Sequence, residues 1–168
     1  MRRRTLLALA PLTLAPLTLA PVALTPVALT PALMIGAARA SDLPRSVNHK
    51  AGVALDGWDP VAWFTEGRPR RGSTAFRAEH AGVAWHFASA AHLVRFQADP
   101  AAHMPRYGGF CAFGVARGYK VDIDPEAWHI RDGVLYLNYD RGVQRQWQRD
   151  IPGNIARAEA NWPRLAER

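Results

Sequence analysis

The sequence predicts an α+β fold: one small domain with two β-hairpins packed against short helices and a C-terminal helical segment. Three observations lead there. Period-two apolar runs flank His80-Ala81-Gly82 and Asp132-Gly133, which are turn signals between strands. Ser or Asp caps precede runs with helical spacing. Without its first 40 residues the 168-residue chain keeps 128, a length suited to a single core.

Residues 1–40 read as a secretory signal. Arg2, Arg3 and Arg4 form the charged start, an apolar run follows, and Ala38-Arg39-Ala40 before Ser41 has the small-x-small form of a cleavage site. Arg3-Arg4-Thr5-Leu6-Leu7 fits a twin-arginine signal as well as a general secretory one, and both routes stay open. Proline recurs at positions 11, 16, 21, 26 and 31. Each removes helix hydrogen bonds, so no stable membrane span is expected after cleavage, and an uncleaved anchor is the alternative. The expected location is periplasmic or secreted.

The leader holds four of the 21 Lys and Arg residues and none of the 14 Asp and Glu residues, which leaves the remainder at a net charge of +3. A nucleic-acid binder needs a clustered basic patch, so no nucleic-acid partner is expected. Residues 41–46 are expected to be a loose leader, and the domain to run over 47–165.

Asp59-Pro60 opens a helix through Phe64, stopped by Gly67. Strands follow at Thr74–Glu79 and Val83–Phe87, with Trp85 and Phe87 facing away from Ala84 and His86. Ser89 caps a helix to Ala98, and Asp99-Pro100 starts a short turn reaching His103. Gly108-Gly109 allows tight backbone geometry or close approach. Asp124-Pro125 reads as a third helix start. Trp128–Arg131 and Val134–Tyr139 form the second hairpin, Asp140 opens a helix to Arg149, and Asn154–Trp162 is the last amphipathic helix. The core is expected at Trp58, Trp63, Trp85, Phe87, Phe96, Leu135, Leu137 and Trp147.

Cys111 is the sole cysteine, so no internal disulfide forms. As a thiolate it suits copper or zinc together with an imidazole, with His92 and His103 as candidate partners; as a thiol between Phe110 and Phe113 it is a small buried hydrophobe. A second binding reading is a small apolar or aromatic ligand, with Tyr107 and Phe110 as candidate contacts. A third is an accessory subunit of a periplasmic enzyme. Asp59, Asp99 and Asp124 each precede proline and read as caps. Arg141, Arg145 and Arg149 line one helix face and read as solvated. No phosphate loop, HExxH, CxxC or serine–histidine–acid order is present, which points away from an enzyme.

Gly57-Trp58-Asp59-Pro60-Val61-Ala62-Trp63-Phe64 resembles the G-Y-D-P-V-A-Y-F opening of exported YHS-domain proteins. Gly82–Ser89 through Phe96–Pro100 is similar to the YHS core, and Tyr107–Phe113 to the group's Y-G-G-Y-C-A-Y. Asp132–Tyr139 and Asp150–Ile155 are similar to its tail, so the resemblance spans about Val47 to Trp162. It implies a binding module of unassigned activity. Cysteine-bearing members resemble small metal-binding modules with F-C-S-x-x-C in the core. Here Ala88 stands at the first of those cysteines and His92 at the second, so that thiolate site does not carry over.

Overall fold

The structure is a computed structural model that describes residues 43–168. The expected signal at 1–40 lies outside the described residues. Among the described residues the architecture is α+β, with a four-stranded sheet, a two-stranded ribbon and five helices. None of these helices is long and apolar enough to cross a membrane.

Three hairpins are present where two are expected. The extra one is β1 (His49–Lys50) and β2 (Val53–Ala54), turned by Ala51-Gly52. Two-residue strands are too short to show alternation, so only their pairing reveals them. β2 runs parallel to β4 (Val83–Phe87), and β3 (Ser73–His80) pairs antiparallel on its other side, giving the order β1-β2-β4-β3. The central β4 buries Val83, Trp85 and Phe87 and leaves Ala84 and His86 half-buried, the expected facing. Gly72 lies directly over this strand: a Cβ there would stand 2.4 Å from the His86 carbonyl carbon.

Asp59 lies between a left-handed turn at Leu55–Gly57 and the short α1 (Ala62–Thr65). α2 (Ala90–Ala98) is capped by Ser89, whose hydroxyl accepts from His92 N at 3.2 Å. α3 (Ala112–Ala116) has no separate signal in the sequence; its cap is the Cys111 sulfur. β5 (Asp124–Arg131) and β6 (Val134–Asn138) form the ribbon. α4 (Arg141–Gln148) is capped by Asp140, and α5 (Ile151–Ala166) by Asp150. α5 begins three residues before the expected Asn154, because Asp150 and Pro152 form its first turn.

Asp124-Pro125 is a correction. These residues enter strand β5 and start no helix. Asp124 Oδ1 accepts from Glu126 N at 2.9 Å, a local turn, and the ladder shifts register before Trp128. The missing proline N–H is tolerated at such an irregularity in a ribbon. Residues 43–46 also differ from the expected loose leader. Leu43 packs on the core, Pro44 lies against Gly82, and Arg45 O accepts from Lys120 Nζ at 2.7 Å.

β6 is buried on both faces. Leu135 and Leu137 join a core with Trp63, Trp85, Phe87 and Phe96, while Tyr136 joins a second core with Trp147, Val115 and Ala158. Of the expected core, Trp58 alone is half-buried: it sits at a bridge to Arg71, whose guanidinium lies 4.2 Å from its ring centre.

The Tyr107-Gly108-Gly109 turn joins the two cores. All three residues are left-handed, with φ of 57°, 60° and 82°. A Cβ at Gly108 would stand 1.8 Å from Ser46 O. Asn48 clamps the turn: its N–H donates to Gly108 O at 2.8 Å and its side-chain amide to Gly109 O at 3.1 Å.

Candidate ligand-binding site

Cys111 stands where α3, β6 and the 119–121 segment meet. Its N–H donates to Val121 O at 3.1 Å. Its sulfur accepts from Gly114 N at 3.3 Å, capping α3, and its S–H points to Asn138 Oδ1 at 3.9 Å. Asn138 is fully buried at the end of β6, and among the described residues its Nδ2 has no partner. Gly114 O accepts from Tyr119 N at 3.1 Å, which lays the 119–121 segment along α3. Gly114 permits this approach, since a Cβ would meet Tyr119 and Val121 atoms at 3.2 Å. After Asn138 the chain turns through Tyr139 into α4, which brings Val143 and Gln146 alongside.

Together these segments line a half-open cavity of about 590 Å³, within the range of small-molecule sites. Cys111, Phe113, Val121 and Val143 supply apolar wall. Tyr119 and Tyr139 also line it, yet they are 51% and 55% exposed. Arg117 is the one charged residue of the lining, with its guanidinium 4.8 Å from the Phe113 ring centre.

Burial pushes the Cys111 thiol up, while the backbone N–H groups of Gly114, Tyr139 and Phe113 pull the other way. The net direction favours the neutral thiol, whereas a metal ligand must be a thiolate. His92 and His103 are engaged elsewhere. His103 Nδ1 lies 2.9 Å from Asp99 O and its ring packs edge-on against Phe64. Among the described residues no three His, Cys, Asp or Glu side chains gather where they could hold a metal ion. The structure therefore does not bring Cys111, His92 and His103 together as a donor set.

His92 belongs to a different cluster that the sequence concealed. Asp59, 0% exposed, accepts from Val61 N at 2.8 Å and from Ala88 N at 2.7 Å. Asp59 thus closes a local turn ahead of α1, whose N-cap is Val61 with no side-chain cap, so the expected cap from Asp59 is not formed. The same carboxylate lies 2.6 Å from His92 Nδ1, and His92 Nε2 lies 3.1 Å from Thr65 Oγ1. Thr65 Oγ1 is also 3.1 Å from Val61 O. A hydroxyl has one proton. If it goes to Val61 O, Nε2 is the donor in the pair with Thr65. A cap and a helix residue 33 positions apart carry no joint signal in sequence.

The other two candidate ligand contacts lie away from this cavity. Tyr107 is buried against Tyr136 and Trp162, its hydroxyl donates to Glu159 at 3.1 Å, and it borders a smaller cavity of about 360 Å³. Phe110 packs on Trp162 and receives the Lys120 ammonium at 4.8 Å. Tyr119, Tyr139 and Arg117 escaped sequence reasoning, because exposed tyrosines and arginines are ordinary on a surface.

The chain matches no family model, and no curated protein or solved structure proves similar to it.

Proposed function

We propose that this chain is an exported, YHS-like binding module that takes up a small, apolar or aromatic ligand in the cavity beside Cys111. One observation carries the reading. Of the three large apolar or aromatic side chains that stand exposed among the described residues, two, Tyr119 and Tyr139, line this one cavity. Exposed aromatic surface beside a concavity is the form that small-molecule sites take. The family part of the proposal rests on sequence motifs alone, from Gly57–Phe64 to Asp150–Ile155. The export part rests on the composition of residues 1–40.

The test uses N-phenyl-1-naphthylamine, a neutral aromatic probe that brightens in apolar surroundings. It is expected to bind saturably to the wild-type chain. Val143→Trp and Gln146→Trp, which fill the cavity from α4, are expected to abolish that binding while the thermal melt stays cooperative. Binding unchanged in both variants would remove the proposal. Intact mass of the exported chain, expected to begin at Ser41, checks the export part; a product retaining the proline repeat contradicts it.

A further inference from the structure

The cavity is charged on one side only. Its lining contains Arg117 and no Asp or Glu. None of the ion pairs among the described residues uses Arg117, whereas Arg68, Arg70, Arg71, Arg106, Arg141 and Arg157 all have carboxylate partners. Arg117 is exposed, with its guanidinium over the Phe113 ring at 4.8 Å. Stacking occupies the face of a guanidinium and leaves its in-plane N–H groups free for an anion. The Tyr119 and Tyr139 side chains and the Gln146 amide supply further donors along the lining. Asp140, beside Tyr139 in sequence, is outside the lining and has Oδ1 committed to Val143 N at 2.7 Å.

We infer that the ligand is an organic acid: an apolar or aromatic body against Phe113, Val121 and Val143, with a carboxylate or sulfonate held by Arg117. The inference rests on the cavity being the binding site. A cation without a carboxylate partner at the edge of an apolar cavity favours an anionic ligand over its neutral counterpart, and a cationic ligand would find no carboxylate in the lining.

Two probes with the same anilinonaphthalene body separate the possibilities on the purified full chain. 1-Anilinonaphthalene-8-sulfonate carries a sulfonate, and N-phenyl-1-naphthylamine lacks it. Arg117→Met keeps the stem over Phe113 and removes the charge. It is expected to weaken the sulfonate about tenfold, equivalent to ~1.4 kcal/mol, and the neutral probe less than about twofold. Arg117→Lys is expected to fall between, because it keeps charge without the planar fork. Added salt should weaken the sulfonate and spare the neutral probe. If Val143→Trp and Gln146→Trp abolish both probes while Arg117→Met weakens both equally, or neither, the acid inference fails and the cavity reading stands. If both probes survive the two cavity-filling variants, the reading fails and the inference with it.

Discussion

The Asp59 carboxylate lies 2.6 Å from His92 Nδ1 and fastens α2 to the turn that precedes α1. Three hydrogen bonds converge on a carboxylate that has no contact with water. Asp59→Asn keeps an oxygen for one of them and turns an amide toward the others, opposing donor to donor. Leaving a buried, charged network partly unsatisfied is expected to cost ~3 kcal/mol. His92→Gln removes one partner and is expected to cost less. Urea denaturation measures both; an Asp59→Asn chain as stable as wild type would show that the network is not holding these elements.

Cys111 acts as a helix cap inside an apolar wall. Cys111→Ala removes the acceptor for Gly114 N and is expected to cost ~1–2 kcal/mol. Cys111→Ser keeps both an acceptor for Gly114 and a donor for Asn138, so it is expected to cost less than the alanine. Equal losses in the two variants would show that volume matters here and capping does not. The native thiol, 1% exposed and held neutral by burial, should react slowly with thiol reagents until the chain unfolds.

Gly108 has the opposite requirement to Gly67, although both are left-handed. A Cβ at Gly108 meets Ser46 O at 1.8 Å, while one at Gly67 meets nothing within 4 Å. Gly67→Ala is expected to cost ~1–2 kcal/mol from conformation alone. Gly108→Ala must also displace the 46–48 segment, and its loss is expected to be at least twice as large. Similar losses would show that the close approach is easily relieved.

Arg106, Glu159 and Tyr107 give the chain a pH window. The Arg106 hydrogen bonds hold the Glu159 carboxyl below its usual range, against the pull of burial. A carboxyl held low stabilises the fold above the unfolded carboxyl range, and that contribution disappears as pH falls through the folded value. Burial, reinforced by Glu159, pushes the Tyr107 phenol up. A phenol held high stabilises the fold below the unfolded value of ~10 and stops doing so as pH rises beyond it. The Glu159 side chain is 41% exposed, so its share is small and falls with salt. Glu159→Gln should flatten the acid limb of the denaturation midpoint against pH, and Tyr107→Phe the alkaline limb. Limbs unchanged in both variants would contradict this account.

The hairpins and the larger helices were legible in sequence because alternation, turn residues and caps are local. Trp85 and Phe87 on β4, and Ser89 and Asp140 as caps, follow from such signals. The Asp-Pro cap signal failed at Asp124, where pairing with Asn138 overrides the local preference. The β1–β2 hairpin and α3 were hidden because neither is long enough to show a period. The candidate site was hidden for a different reason. Cys111, Arg117, Tyr119, Tyr139 and Gln146 come from three segments, which meet through the contacts of Cys111 with Val121, Gly114 and Asn138 and of Gly114 with Tyr119.

The central claim is that ligand enters the cavity at Cys111. Amide chemical shifts recorded during titration with N-phenyl-1-naphthylamine report this residue by residue. The account predicts saturable shifts centred on Gly114, Tyr119, Val121 and Val143, with Tyr107 and Val134 at the smaller cavity unmoved. Shifts centred on Tyr107, Val134 and Trp162, or spread evenly over the surface, would contradict it.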